Sequence, residues 1–100
     1  MSRDQEGSQV PGSDRWKASN EVVAEMTGDR LVLIHMQTNK IFELNRTGAR
    51  VWELLGEGED EAGIVQRIKE QYDVDDAVLE REVQDILQRL SQEKLVVKDG

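Results

Sequence analysis

Few residues in this chain have the types and spacing that covalent chemistry needs. Cysteine is absent, which excludes a disulfide framework, a thiolate metal site and a cysteine nucleophile. The single histidine, His35, stands inside an apolar run (LVLIHM) with no nucleophile or acid beside it in sequence. Acid–base or metal-ligating work requires such neighbours, so the plainer reading is a histidine that faces solvent or caps a sheet. Carboxylates gather at Glu59-Asp60-Glu61 and at Asp73, Asp75 and Asp76. They lack the twelve-residue calcium register with glycine at its sixth place and a terminal Glu. Placed just ahead of apolar-periodic segments, they suit helix N-termini, where negative charge meets the helix dipole. Gly56-Glu57-Gly58 is followed by no Lys-Ser/Thr pair and is flanked by acids, unlike a phosphate loop. No active site emerges, and the chain reads as a non-enzyme with no cofactor and no metal.

What remains is the chemistry of an open backbone edge. The run RLVLIHMQTNKIFELNRTGARVWELL, residues 30–55, reads as two short β-strands joined by a polar turn and leading into an amphipathic helix. Residues 31–36 form a near-continuous apolar run, short enough to favour strand over helix. Gln37-Thr38-Asn39 supplies turn chemistry, and Asn39 tolerates the positive φ of a tight hairpin. In residues 40–45, KIFELN, Phe42 and Leu44 point to one face, Ile41 and Glu43 to the other, the period of a strand with one buried face. Such a strand suits the margin of a small sheet. An unpaired edge is a hazard unless covered or used.

The elements that must position this edge follow from periodicity. Residues 21–27 (EVVAEMT) end at Gly28-Asp29 and give a further strand, so three strands in sequence predict an antiparallel meander. The period then changes: Ala49, Val51, Trp52 and Leu55 recur at helical spacing, with Asn45 or Thr47 as N-cap and Gly56 and Gly58 as the stop. Asp60 opens a second helix carrying Ile64, Val65, Ile68 and Tyr72 on one side. Asp75 and Asp76 open a third and longest helix over about residues 77–93, with a stripe of Leu79, Val83, Ile86, Leu87 and Leu90. Leu95-Val96-Val97 closes the chain as an extended stub. The expected class is α+β, a three-stranded antiparallel sheet followed by a trihelical bundle of winged helix-turn-helix type. Residues 1–15 hold two glycines, three serines, the only proline and almost nothing apolar, and are expected to be a disordered N-terminal tail. Residues 16–98 are expected to be the single domain.

Composition narrows the partners. The chain has 100 residues, 37% apolar, with 21 acids against 13 bases and a net charge of −8. Affinity for nucleic acid comes mainly from Lys and Arg neutralising phosphates. A trihelical bundle nonetheless leaves a winged-helix DNA-binding regulator as the alternative reading. Against it, the start of the third helix, where a recognition helix meets base edges, carries Asp75, Asp76, Glu80 and Glu82. No secretory h-region and no apolar stretch near the roughly 20 residues that span a bilayer appear, so a cytoplasmic protein without membrane or nucleic-acid partners is expected. A third reading has the open edge pair with its own copy in a dimer.

On the third helix, Val78, Glu82, Asp85 and Arg89 lie along one line beside the core stripe. Should that line pack beside residues 40–45, a cleft forms whose floor is open backbone and whose wall is a mixed helix face. An extended peptide can add there as another strand.

These residues together resemble the PqqD-like family, also called RiPP precursor peptide recognition elements. The resemblance rests on Phe42-Glu43-Leu44-Asn45, Thr47-Gly48-Ala49, Val51-Trp52-Glu53-Leu54-Leu55 and Tyr72-Asp73-Val74, with a last helix running into Leu95-Val96-Val97. It spans about residues 16–98. It implies a non-catalytic module that binds the leader of a ribosomally made precursor peptide and presents it to a modifying enzyme. Such an enzyme is a radical SAM enzyme in pyrroloquinoline quinone assembly or a leader peptidase in lasso peptide assembly. Carried over by position, the peptide-binding strand is Lys40, Ile41, Phe42, Glu43, Leu44 and Asn45. The helix wall is Val78, Glu82, Asp85, Ile86 and Arg89. Phe42, Leu44 and Trp52 are expected to be core that shapes the cleft.

Overall fold

A computed structural model describes residues 15–98. Apart from Arg15, the tail expected over residues 1–15 lies outside them. The described order is β1 (Trp16–Ala18), β2 (Val22–Thr27), β3 (Arg30–His35), β4 (Lys40–Leu44), α1 (Arg46–Gly56), α2 (Glu61–Gln71), α3 (Asp76–Gln92) and β5 (Val96–Lys98).

Strands β2, β3 and β4 form the expected antiparallel meander in that order. Gly28, at φ +68, makes the two-residue turn between β2 and β3, a position where a side chain would be strained. Asn39 takes φ 60 and donates its N–H to the His35 carbonyl at 2.7 Å, closing the four-residue loop into β4. Leu31 faces Leu44 and Leu33 faces Phe42 across the β3–β4 ladder. Leu31, Leu33 and Leu44 are buried while Ile41 and Glu43 are exposed, so strand period and burial agree.

Each helix begins where the sequence supplies a cap. Asn45 accepts from the Gly48 N–H at 2.9 Å, Asp60 from Gly63 at 2.8 Å and Asp75 from Val78 at 3.1 Å, each satisfying a donor the helix cannot pair itself. The carboxylate clusters therefore start helices. Helices α1, α2 and α3 bury Val51, Leu54 and Leu55; Ile64 and Ile68; and Leu79, Val83, Leu87 and Leu90, all in one core with the sheet. At roughly 25 cal/mol per Å² of apolar surface removed from water, this shared burial is the main force holding the bundle on the sheet.

Two expectations are sharpened, at the C-terminal stub and at His35, and two are corrected, at Tyr72 and Asn45. The C-terminal stub is a strand with a partner: β5 pairs antiparallel with β1, Trp16 opposite Lys98, as a second two-stranded sheet. Strand β1 has three residues, too few for a period to show in sequence. His35 is buried and does not face solvent; its Nδ1 accepts from the Gln37 N–H at 3.3 Å, so it caps the end of the sheet. Tyr72 leaves α2 in an extended conformation and is exposed instead of joining the helix's buried side. Asn45 belongs to the start of α1 and not to β4. Among the described residues no helix is long and apolar enough to cross a membrane.

Candidate functional site

Which backbone groups of β4 are free follows from one bond on the far side of β3. The Met36 N–H donates to the Glu21 carbonyl at 2.8 Å, extending the β2–β3 ladder by one pair. Bonded and non-bonded pairs alternate along an antiparallel ladder, so Ile34 and Val32 turn their amides toward β2. Leu31, Leu33 and His35 then bond β4 through their register partners Leu44, Phe42 and Lys40. Ile41 and Glu43 are left pointing N–H and C=O away from the sheet. Among the described residues nothing pairs with that outer edge.

Helix α3 stands opposite the edge. A cavity of about 280 Å³ separates them, with Phe42, Glu43 and Leu44 on the strand side and Glu82, Ile86, Arg89 and Leu90 on the helix side. Asn45 and Gly48, near the start of α1, and Leu95 and Arg30 complete the lining. Gly48 is buried. A Cβ there would stand 3.1 Å from the Leu44 Cβ, so its missing side chain lets α1 sit tightly under the end of β4. At the other end, Lys40 Nζ lies 3.7 Å from Glu93 Oε1. Lys40 at the α3 C-terminal end and Asn45 beside Glu82 mean that α3 runs antiparallel to β4.

The cleft is amphipathic. Phe42, Leu44, Ile86, Leu90 and Leu95 give it an apolar base, while Arg30, Glu43, Glu82 and Arg89 ring it with both signs. Arg30 reaches Glu43 at 3.4 Å with both side chains more than half exposed, a contact worth little to stability. Among the described residues no group of acids and histidine fits a metal ion, and the cleft holds no nucleophile–base pair. The arrangement can do one thing well, which is to take an extended chain: backbone bonds on one side, side-chain burial on the other.

The expected site residues divide accordingly. Phe42, Glu43, Leu44, Asn45, Glu82, Ile86 and Arg89 converge on the cleft. Phe42 and Leu44 serve both as core and as cleft base. Lys40 sits at its end through Glu93, and Ile41 offers its amide while its side chain, 68% exposed, lies on the outer face of the sheet. Asp85 is exposed and outside the lining, because α3 turns Ile86, not Asp85, toward β4. Val78 lines a neighbouring cavity instead. Trp52 shapes a different hollow, one of about 470 Å³ between α1 and the end of β2. That larger hollow draws a single residue, Met26, from β2, whereas three consecutive residues of β4 line the cleft. Arg30, Leu90 and Leu95 were not foreseeable as lining: Leu90 and Leu95 read as core, and Arg30 as a strand start.

The sequence pattern of the family described as Coenzyme PQQ synthesis protein D (PqqD) matches residues 30–96, from β3 to the first residue of β5, and so encloses both walls of the cleft. A chain solved as TbiB1 in complex with the TbiA(beta) leader peptide is 39% identical, with a TM-score of 0.75 over 80% of this chain and 93% of that one. A lasso peptide synthetase B1 complexed with the leader peptide superposes at a TM-score of 0.76, covering 83% of this chain and 98% of that one, at 20% identity, a likeness of fold. No curated protein matches the chain in sequence. With the strand pair, the capped first helix and the facing third helix all inside the matched span, this chain belongs to the PqqD family.

Proposed function

We propose that the chain is a non-catalytic peptide-binding module. It holds the leader of a ribosomally synthesised precursor peptide by β-strand addition to β4 and presents the precursor to a modifying enzyme. The observation that carries this reading is the pair of outward amides at Ile41 and Glu43, next to a cleft of about 280 Å³ that β4 shares with α3. The 39% identity to a protein solved with a leader peptide supports a leader as the guest. Residues 16–98 are the working domain. The peptide-binding residues are Lys40, Ile41, Phe42, Glu43, Leu44 and Asn45 with Glu82, Ile86 and Arg89.

The module acts by raising local concentration. A tethered leader makes the later meeting of enzyme and core peptide nearly intramolecular, with an effective concentration of about millimolar for short flexible linkers. Titration calorimetry with the TbiA(beta) leader peptide, and with the leader half of any short peptide encoded beside this gene, tests the binding. Saturable binding with amide shifts clustered over residues 40–45 and 77–89 is expected. Shifts confined to α2 contradict the reading.

A further inference from the structure

We propose that β2, the other margin of the three-stranded sheet, is where the modifying enzyme docks. An extended segment of that enzyme adds to β2 as a strand, turns an apolar side chain into the hollow between β2 and α1, and meets Glu25 with a Lys or Arg. This rests on the presenting role proposed above and adds the surface which that role requires on the enzyme's side.

Strand order puts β4 at one margin and β2 at the other. The register of the β2–β3 ladder fixes which amides of β2 are open. The bond from Met36 to Glu21 makes that pair a bonded one, so Val23 and Glu25 bond their partners Ile34 and Val32 in turn. Val22, Ala24 and Met26 then aim outward. Val22 shows the direction, since its N–H donates away from β3 to the Ser19 carbonyl at 3.2 Å. Ala24 and Met26 keep N–H and C=O groups that no strand among the described residues takes up. All of β2 after Val22 is exposed. Such an edge is a hazard unless a partner chain covers it.

A recess lies beside this edge. The hollow of about 470 Å³ has Met26, Leu31, Ala49, Trp52 and Tyr72 as its apolar walls. Met26, 58% exposed, is the wall that belongs to the edge strand. Side chains alternate in face along a strand. A guest residue opposite Met26 therefore points as Met26 does, toward the hollow, while guest residues opposite Val23 and Glu25 lie on the outer face. Charge selects the guest. Arg46 is paired with Asp29 at 3.8 Å and Arg50 with Glu53, whereas Glu25 has no cationic partner among the described residues. A second copy would bring one net charge of −8 against another, and like charges across a strand pair destabilise it. A segment with an apolar anchor and a neighbouring Lys or Arg fits both features. The leader, added at β4, lies on the far side of β3 and leaves this margin open, so one module can hold leader and enzyme together.

The test uses the full chain, the TbiA(beta) leader peptide and the purified leader peptidase or radical SAM enzyme whose gene adjoins this one. Ala24→Pro removes one outward donor at an edge position, where a strand tolerates proline. Met26→Asp sets a charge at the hollow through an exposed side chain, and Val97→Asp, exposed on β5, is the equal-charge control. Ala24→Pro and Met26→Asp are each expected to weaken enzyme binding to the leader-loaded module about ten-fold. Leader affinity should stay within about two-fold of wild type. Glu25→Lys should also weaken enzyme binding, with a loss that shrinks as salt rises. Val97→Asp should match wild type toward both probes. An enzyme that binds the two β2 variants as it binds wild type, or that does not bind wild type at all, would overturn the docking edge and leave leader binding standing. Sedimentation showing a wild-type dimer that Ala24→Pro dissolves would give β2 to a second copy and overturn the proposal likewise. A wild-type protein that binds no leader would overturn both this and the presenting role.

Discussion

Substituting proline along β4 separates the two sets of amides that the ladder defines. Ile41→Pro removes an N–H that points away from the sheet, so the β3–β4 ladder keeps all its bonds. The lost side chain is 68% exposed and little core packing goes with it, and an edge position is where a strand tolerates proline. Stability should therefore fall by no more than about 1 kcal/mol. Binding should suffer more, because a guest carbonyl is left without its donor. An unsatisfied buried carbonyl costs roughly 1–3 kcal/mol, or about 5- to 150-fold in Kd. Phe42→Pro is the mirror case. It removes a donor to Leu33 and a partly buried ring from the core, and should lower stability by about 3 kcal/mol or more. Ile41→Ala keeps the amide and should bind within about two-fold of wild type, isolating the backbone effect from the side chain. Urea unfolding and calorimetric titration with the TbiA(beta) leader read the two quantities separately. Equal destabilisation by Ile41→Pro and Phe42→Pro would refute the assignment of amide directions. Unchanged affinity in a folded Ile41→Pro would refute strand addition itself.

Other outcomes follow from single contacts. Asn45→Ala removes the cap on α1, an acceptor 2.9 Å from the Gly48 N–H, and should cost about 1 kcal/mol in urea unfolding. Ile86→Ala takes an apolar contact from the cleft wall without emptying the core. It should weaken leader binding several-fold, by about 1 kcal/mol, with a smaller change in the unfolding midpoint. Leu33→Ala, at a fully buried position under the sheet, should destabilise by about 2–5 kcal/mol and lose binding only where the fold is lost. A salt-dependent mobility shift with the gene's own promoter DNA is expected to be absent, because Asp75, Asp76, Glu80 and Glu82 gather at the start of α3 and repel phosphates.

Sequence alone determined what local physics controls. Asn39 in the β3–β4 turn, the caps Asp60 and Asp75, and the outward side chains of Ile41 and Glu43 were all legible. Each depends on residues within four positions of each other: a positive φ, an orphan helix donor, a two-residue period. The alternation of KIFELN and the stripe on α3 likewise placed a strand edge and a long helix in the same small domain.

Tertiary structure decided the rest, because it depends on which surfaces meet. Trp16 to Ala18 became a strand only because Val96 to Lys98 lies beside it; alone, three residues carry no period. Ile86, part of the same apolar stripe as Leu87, turned into the cleft while Asp85 stayed outside it. That choice is set by the angle at which α3 crosses the sheet and not by any neighbour in sequence. Leu90 and Leu95 serve the core and the cleft at once, a double role that no hydropathy pattern encodes. The free amides of Ile41 and Glu43 became identifiable only through the bond between Met36 and Glu21, two strands away, since backbone direction in a sheet is fixed by partners.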